Sequence, residues 1–248
     1  MPAIHPPRTV PHPTPFSHVP REVHIPVGDT WLHGDLATPA GMRGLVLFAH
    51  GSGSGRHSAR NRQVAAGLQQ SGLGTLLFDL LTVQEERDDQ QSSQHRFNIA
   101  LLTERMQTAT LWVLQQPGLW ELPLGYFGAS TGSAAALIAA ARMDGRIAAV
   151  VSRGGRPDLA GPVALAEISA PTLLIVGGAD AQVLSLNNQA LGQLRCTRRL
   201  SIVPGAGHLF EEPGALAQVT RLATDWFSLH FRQPHPELPA SRHAWGAH

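Results

Sequence analysis

The chain has 248 residues, with 19 Lys and Arg against 18 Asp and Glu for a formal charge of +1; 43% of residues are hydrophobic and 15% charged. That hydrophobic fraction excludes wholesale disorder, and the near-zero charge excludes a global basic field for nucleic acid. The single cysteine, Cys196, excludes an intramolecular disulfide and a CxxC metal or redox site.

Residues 1–21 carry Pro2, Pro6, Pro7, Pro11, Pro13, Pro15 and Pro20. Proline at that density removes backbone donors and favours an extended arm, and no apolar run marks a secretory leader. Residues 232–248 repeat the pattern as a tail, with Pro234, Pro236 and Pro239. The fold is expected in residues 22–231, as one domain. The small-apolar run 134–141 falls far short of the ~20 residues of a membrane span. A soluble, cytoplasmic protein without nucleic-acid or membrane partners is expected.

Residues 22–27 and 31–37 read as two strands around the turn Gly28-Asp29, an antiparallel hairpin. Residues 44–49 (GLVLFA) form a continuous apolar run, as in a strand buried on both faces. A Gly/Ser loop and a helix over 58–71 follow, then a second buried strand over 74–79. Residues 80–95 are polar and read as a loop. A helix is predicted over 97–116, where Leu101, Met106, Ala109 and Val113 recur at helical spacing before Pro117. The alternation continues with a strand at 124–127, an Ala-rich helix at 130–143, strands at 148–152 and 171–176, a helix at 184–194, a strand at 199–203 and an amphipathic helix at 215–231. A hairpin followed by strand–helix units predicts an α/β fold, a mostly parallel sheet with helices on both faces. Such sheets place their sites at the carboxyl ends of the strands.

Four motifs stand there. Gly128-Ala129-Ser130-Thr131-Gly132 is G-x-S-x-G between a strand and a helix. At that sharp turn a serine is strained with its hydroxyl exposed, and small residues are needed on either side. The alternative is a Gly/Ser turn with Ser130 as an ordinary helix cap. A serine nucleophile needs a base, and Pro204-Gly205-Ala206-Gly207-His208 offers His208 after the last strand. Gly177-Gly178-Ala179-Asp180 offers Asp180 as the acid that orients the histidine; Asp79 and Asp158 compete for that role. His50-Gly51-Ser52-Gly53-Ser54-Gly55 supplies a loop whose Ser52 amide, with that of Thr131, would form an oxyanion hole. His50 is taken as structural, bonded to its own loop.

The order HGSGSG, GASTG, GGAD, GAGH resembles an α/β-hydrolase over residues 23–231, most similar to the small capless dienelactone-hydrolase-like group. The resemblance implies an eight-stranded sheet with its second strand antiparallel, a catalytic triad of Ser130, Asp180 and His208, and no metal or other cofactor. Dienelactone hydrolases proper carry a cysteine nucleophile where this chain has Ser130. No stretch between Val151 and Pro171 is long enough for a helical cap, so the site should be open or covered only by residues 80–97.

Arg56 and Arg153 stand on glycine-rich strand-end loops and are expected to receive an anionic group of the substrate; the alternative is solvated charge or pairing with local carboxylates. The function expected is a serine hydrolase of small carboxylic esters or lactones, with a small-molecule ester substrate. The alternatives are a thioesterase, amidase or acyltransferase on the same triad, or a non-catalytic binding member of the fold.

Overall fold

The computed structural model describes residues 17–231. Most of the proline-rich arm and the whole tail expected from the sequence lie outside the described residues. The elements in chain order are β1 (Ser17–Val27), β2 (Thr30–Thr38), β3 (Leu45–Ala49), α1 (Ala59–Gln70), β4 (Gly74–Phe78), α2 (Val83–Ser92), α3 (Ile99–Leu114), β5 (Leu124–Ala129), α4 (Thr131–Arg142), β6 (Ile147–Arg153), a 3-10 turn (Pro157–Ala160), α5 (Gly161–Glu167), β7 (Thr172–Gly177), α6 (Ala181–Gln193), β8 (Arg198–Val203) and α7 (Ala215–His230). The sheet has eight strands in the order β1-β2-β4-β3-β5-β6-β7-β8. β2 runs antiparallel to both β1 and β4, and every pairing from β4 to β8 is parallel.

The apolar runs explain the layering. Every residue of β3, β4, β5 and β7 is buried, and successive side chains point to opposite faces. Leu45, Leu47 and Ala49 thus join Met106, Ala109 and Leu137 on the face covered by α3 and α4. Val46 and Phe48 join Val64, Leu68, Val219 and Phe227 on the face covered by α1 and α7. The strand ends that carry the motifs emerge together between these layers.

Two sequence expectations need correction. β1 begins at Ser17, five residues earlier than the hairpin predicted, so Ser17–Arg21 belong to the strand and not to the arm; Ser17 pairs with Thr38 across an irregularity in register. Between β6 and β7 the chain forms a 3-10 turn and the short helix α5. Residues 80–95 are not a loop but carry α2. That helix is polar almost all round, so periodicity does not reveal it. Its start, Thr82-x-x-Glu85, is a capping box: Thr82 Oγ1 accepts from the Glu85 amide at 3.2 Å, and Glu85 Oε2 accepts from the Thr82 amide at 2.8 Å. Its end is bolted by Asp89, 1% exposed, which accepts from the amides of His95 and Arg96 and pairs with the Arg96 guanidinium.

Glu85 also accepts from Arg105 of α3 at 2.5 Å. Burial pushes its carboxyl up, but the Thr82 amide and Arg105 outweigh it and hold it below the ordinary carboxylate range. The stabilisation is therefore complete above the ordinary carboxylate pKa and is lost as pH falls through the lowered folded value. Glu85→Gln should lower the Tm by a few degrees at neutral pH, and the gap from wild type should narrow as pH falls through the lowered carboxyl value. Melting curves across pH check this; a constant gap would reject it.

Candidate active site

The G-x-S-x-G turn is tight because β5 must hand over to α4 without a connecting loop. A Cβ at Gly128 would lie 2.4 Å from Ser133 Cα, and one at Gly132 would lie 2.3 Å from the His50 carbonyl oxygen. Ser130 sits between them at φ 50°, ψ −123°, a left-handed φ that a residue with a side chain adopts only under constraint. Its carbonyl accepts from the Ser133 amide at 3.1 Å, the Ser133 hydroxyl at 2.7 Å and the Arg156 amide at 3.1 Å; its amide donates to the Arg153 carbonyl at 3.2 Å. Ser130 occupies the cap position of α4, yet its side chain makes no capping hydrogen bond. The hydroxyl instead borders a cleft of about 250 Å³ that His208 and Arg153 also line.

Asp180 caps α6. Its Oδ1 accepts from the Val183 amide at 3.2 Å, while Oδ2 accepts from His208 Nδ1 at 2.7 Å. A carboxylate only accepts, so Nδ1 is the donor in this bond and Nε2 is the ring nitrogen left for other contacts. The histidine loop is fastened on both sides: the Gly207 amide donates to Glu212 Oε1 at 2.8 Å, and the Ala179 amide donates to the Ala206 carbonyl at 2.9 Å. The competing carboxylates are engaged elsewhere. Asp79 accepts from the backbone and guanidinium of Arg56, and Asp158 forms a two-point pair with Arg156 at 2.9 and 2.7 Å.

His50 is buried with both ring nitrogens bonded, Nδ1 to the Gly51 carbonyl at 2.9 Å and Nε2 to the Leu80 amide at 3.0 Å. Burial pushes its pKa down against the raising effect of Gly51, Asp79 and Glu86. It is a neutral brace of the loop after β3. In that loop the Ser52 amide is not free as the sequence suggested: it donates to Thr131 Oγ1 at 2.9 Å. Sequence reasoning treats Thr131 as a backbone donor only and misses its hydroxyl as the resting partner of Ser52.

The two arginines part company. Arg56 does not face the cleft. It bonds Asp79 and reaches Glu22 Oε1 at 3.3 Å, on the wall of an adjoining chamber of about 630 Å³ under α2. Arg153, at the end of β6 in register with Ala129, is 7% exposed, and its Nε and Nη1 have no hydrogen-bond partner among the described residues. Its guanidinium carbon lies 5.8 Å from the Phe210 ring centre. Burial, with Arg60 nearby, pushes its pKa down to about 10, so it remains charged at neutral pH. Among the described residues, Glu22, His24 and His33 bring possible metal-ligand atoms within 4.8 Å of one another on the β1–β2 hairpin, away from this cleft.

An unpaired buried charge destabilises the empty protein, and replacing it with an apolar side chain of similar length removes that cost. Arg153→Met should therefore raise the Tm, by about 2–4 °C for each kcal/mol relieved in a domain of this size. Thermal unfolding checks this; a fall in Tm would show that Arg153 is a structural partner.

A family described as alpha/beta hydrolase domain matches residues 42–221. The crystal structure of a dienelactone hydrolase from Anabaena variabilis is 55% identical, covers 87% of this chain and 100% of its own, and superposes with a TM-score of 0.84. Est1E from Butyrivibrio proteoclasticus shares the fold at 14% identity, covering 86% of this chain and 99% of its own, with a TM-score of 0.72. Curated relatives from two Mycobacterium tuberculosis strains, both named "Putative phosphoribosyl transferase", are 53% identical over 215 residues, which cover 87% of this chain and 47% of theirs. The chain thus spans about half the length of these curated relatives.

Proposed function

The chain belongs to the α/β-hydrolase family, in its dienelactone-hydrolase-like group, and from that premise we propose that it hydrolyses small carboxylic esters or lactones through an acyl-enzyme on Ser130. The observation that carries this reading is the strained Ser130, with its hydroxyl unused for capping, sharing a cleft with a histidine whose other nitrogen is 2.7 Å from Asp180. Ser130 Oγ attacks the carbonyl carbon as His208 Nε2 takes its proton, and Asp180 stabilises the resulting imidazolium. The oxyanion forms at the N-terminus of α4, where the first-turn amide of Thr131 has no partner within the helix. The Ser52 amide joins it once the substrate oxygen replaces Thr131 Oγ1 as acceptor. His208 then protonates the leaving alkoxide, and water, activated in the same way, releases the acid.

An ester substrate separates this from thioester or amide cleavage only by its leaving group, which the geometry leaves open to all three; we adopt the ester on the strength of the dienelactone hydrolase likeness. Arg153 is the candidate for holding an anionic group of the substrate, by two parallel charge-assisted hydrogen bonds. The name phosphoribosyl transferase belongs to proteins of which this chain covers 47%, and it carries no argument for the chemistry of this cleft.

Ser130→Ala should lower kcat on a good ester by about 10⁴-fold or more while the fold persists, and should abolish labelling by a fluorophosphonate. Labelling that survives the substitution would remove Ser130 as nucleophile. Asp180→Asn should cost about 10⁴-fold in kcat through the wrong histidine tautomer, whereas Asp79→Asn and Asp158→Asn, whose carboxylates serve Arg56 and Arg156, should cost far less. Steady-state kinetics on the three variants decides; a greater loss at Asp79 would move the acid there. Arg153→Ala should lower kcat/KM about ten- to a hundredfold for an ester bearing an anion and change a neutral ester little; equal losses on the two would end the anionic-substrate reading.

A further inference from the structure

The 250 Å³ cleft beside Ser130 carries two guanidinium groups and, among the described residues that line it, no carboxylate. Arg153 contributes Nε and Nη1 without partners. Arg60, four residues after Arg56, contributes a buried Nε that also has none, while its Nη1 is held by the exposed Glu211 at 3.0 Å. Arg60 stands in the first turn of α1, which has no acidic residue to complement its helix dipole. Asn61, 3% exposed, lines the same wall with a buried Oδ1 that is likewise unpartnered. Of the two, Arg153 has no carboxylate partner among the described residues, whereas Arg60 is paired with Glu211 and keeps a buried, unpartnered Nε on the cleft wall.

We propose that Arg60 and Arg153, at the N-terminus of α1, form a subsite for a phosphate-type dianion carried by the ester substrate. The inference rests on the hydrolase reading of this cleft and deepens it. Glu211 already offsets the Arg60 charge, so the number of acceptor oxygens decides: the cleft offers three unpartnered guanidinium nitrogens, Arg153 Nε and Nη1 and Arg60 Nε, against the two oxygens of a carboxylate and the three terminal oxygens of a phosphate. Its several oxygens accept from the unsatisfied N–H groups, and a protonated or hydroxylated neighbour of the phosphate can donate to Asn61 Oδ1. Free inorganic phosphate offers the same chemistry and serves as a probe.

The test begins with calorimetric titration of inorganic phosphate, and of acetate as a monoanion, into the full chain carrying Ser130→Ala, at a pH where phosphate is a dianion and Arg153 is still charged. Phosphate should bind at least about tenfold more tightly than acetate, and adding Arg60→Gln should weaken phosphate about tenfold with a smaller effect on acetate. Arg142→Gln, at an exposed arginine beside Gln107, should leave both unchanged. Equal affinities for phosphate and acetate, or no weakening by Arg60→Gln, would overturn the subsite. Arg60 is one-third exposed on its side chain, so its variant should fold even if one at Arg153 does not. The second arm compares, on the wild type, kcat/KM for a phosphate-bearing ester and its neutral isostere. A preference of about tenfold or more for the first is expected; equal values would show that only free phosphate is recognised and would reject the substrate assignment. Fluorophosphonate labelling reports the hydrolase reading separately, so a cleft that is labelled but does not bind phosphate rejects the dianion subsite alone.

Discussion

The left-handed backbone of Ser130 is the constraint on which the site depends. A serine at φ 50°, ψ −123° carries strain of order 1–3 kcal/mol, and the surrounding chain is organised to hold it. Gly128 and Gly132 admit contacts that a Cβ would block. Three donors converge on the Ser130 carbonyl. One of them, the Arg156 amide, also donates to Ser133 Oγ at 2.9 Å, so the loop after β6 is laced to the start of α4. A Cβ at Gly155 would lie 1.9 Å from Ser152 Oγ and 2.4 Å from Ser133 Oγ, which is why that loop can approach so closely. Arg153 follows from the same geometry: its carbonyl receives the Ser130 amide, so the strand end that braces the turn also delivers a guanidinium to the cleft.

Charge satisfaction separates scaffold from site. Arg96 with Asp89, Arg105 with Glu85, Arg156 with Asp158 and Arg56 with Asp79 are each matched to a carboxylate. Those pairs fix α2, the strap after it and the loop after β6. Arg153 has an aromatic face and no counter-ion among the described residues. A buried charge without a partner costs stability, and such violations of local consistency concentrate where function requires them. Arg56 and Arg153 look alike in the sequence, each an arginine on a glycine-rich strand-end loop. The difference lies in Asp79, just after β4, and Glu22, in β1, which reach Arg56 and which no local pattern brings together.

The strands and their order of use were legible because buried parallel strands are written as unbroken apolar runs. GLVLFA and GTLLF each occupy a central strand with no exposed residue. The G-x-S-x-G turn was legible because sterics leave little choice at Gly128 and Gly132. Helix α2 was not, since its residues bury almost no apolar face and its stability comes from a capping box and from ion pairs made across space; the Thr82-x-x-Glu85 spacing was the one available signal. The Ser52 amide's bond to Thr131 Oγ1 was equally hidden. It joins residues 79 apart, and a threonine hydroxyl after the serine of a G-x-S-x-G turn reads as an ordinary helix residue.

α2 changes what kind of pocket the strand ends can form. With it in place, the chamber of about 630 Å³ lies between the loop after β3 and the start of α2, and it shares Ser54 and Ser58 with the cleft beside Ser130. The two spaces differ in electrostatic state. Arg56, on the chamber wall, already has its carboxylate in Asp79, so an occupant there replaces water without supplying a missing charge. In the cleft, the free N–H groups of Arg153 and Arg60 have no acceptor until something binds. Binding there recovers the cost of the buried charge as well as forming hydrogen bonds. On the proposed reading, selectivity for charge should thus arise beside Ser130, and selectivity for size and shape under α2, whose Val83 and Arg87 line the chamber. A helix anchored by Asp89 and Glu85 rather than by an apolar face can vary the residues it turns toward the chamber without disturbing the core, which lets one hydrolase sheet serve substrates of different bulk.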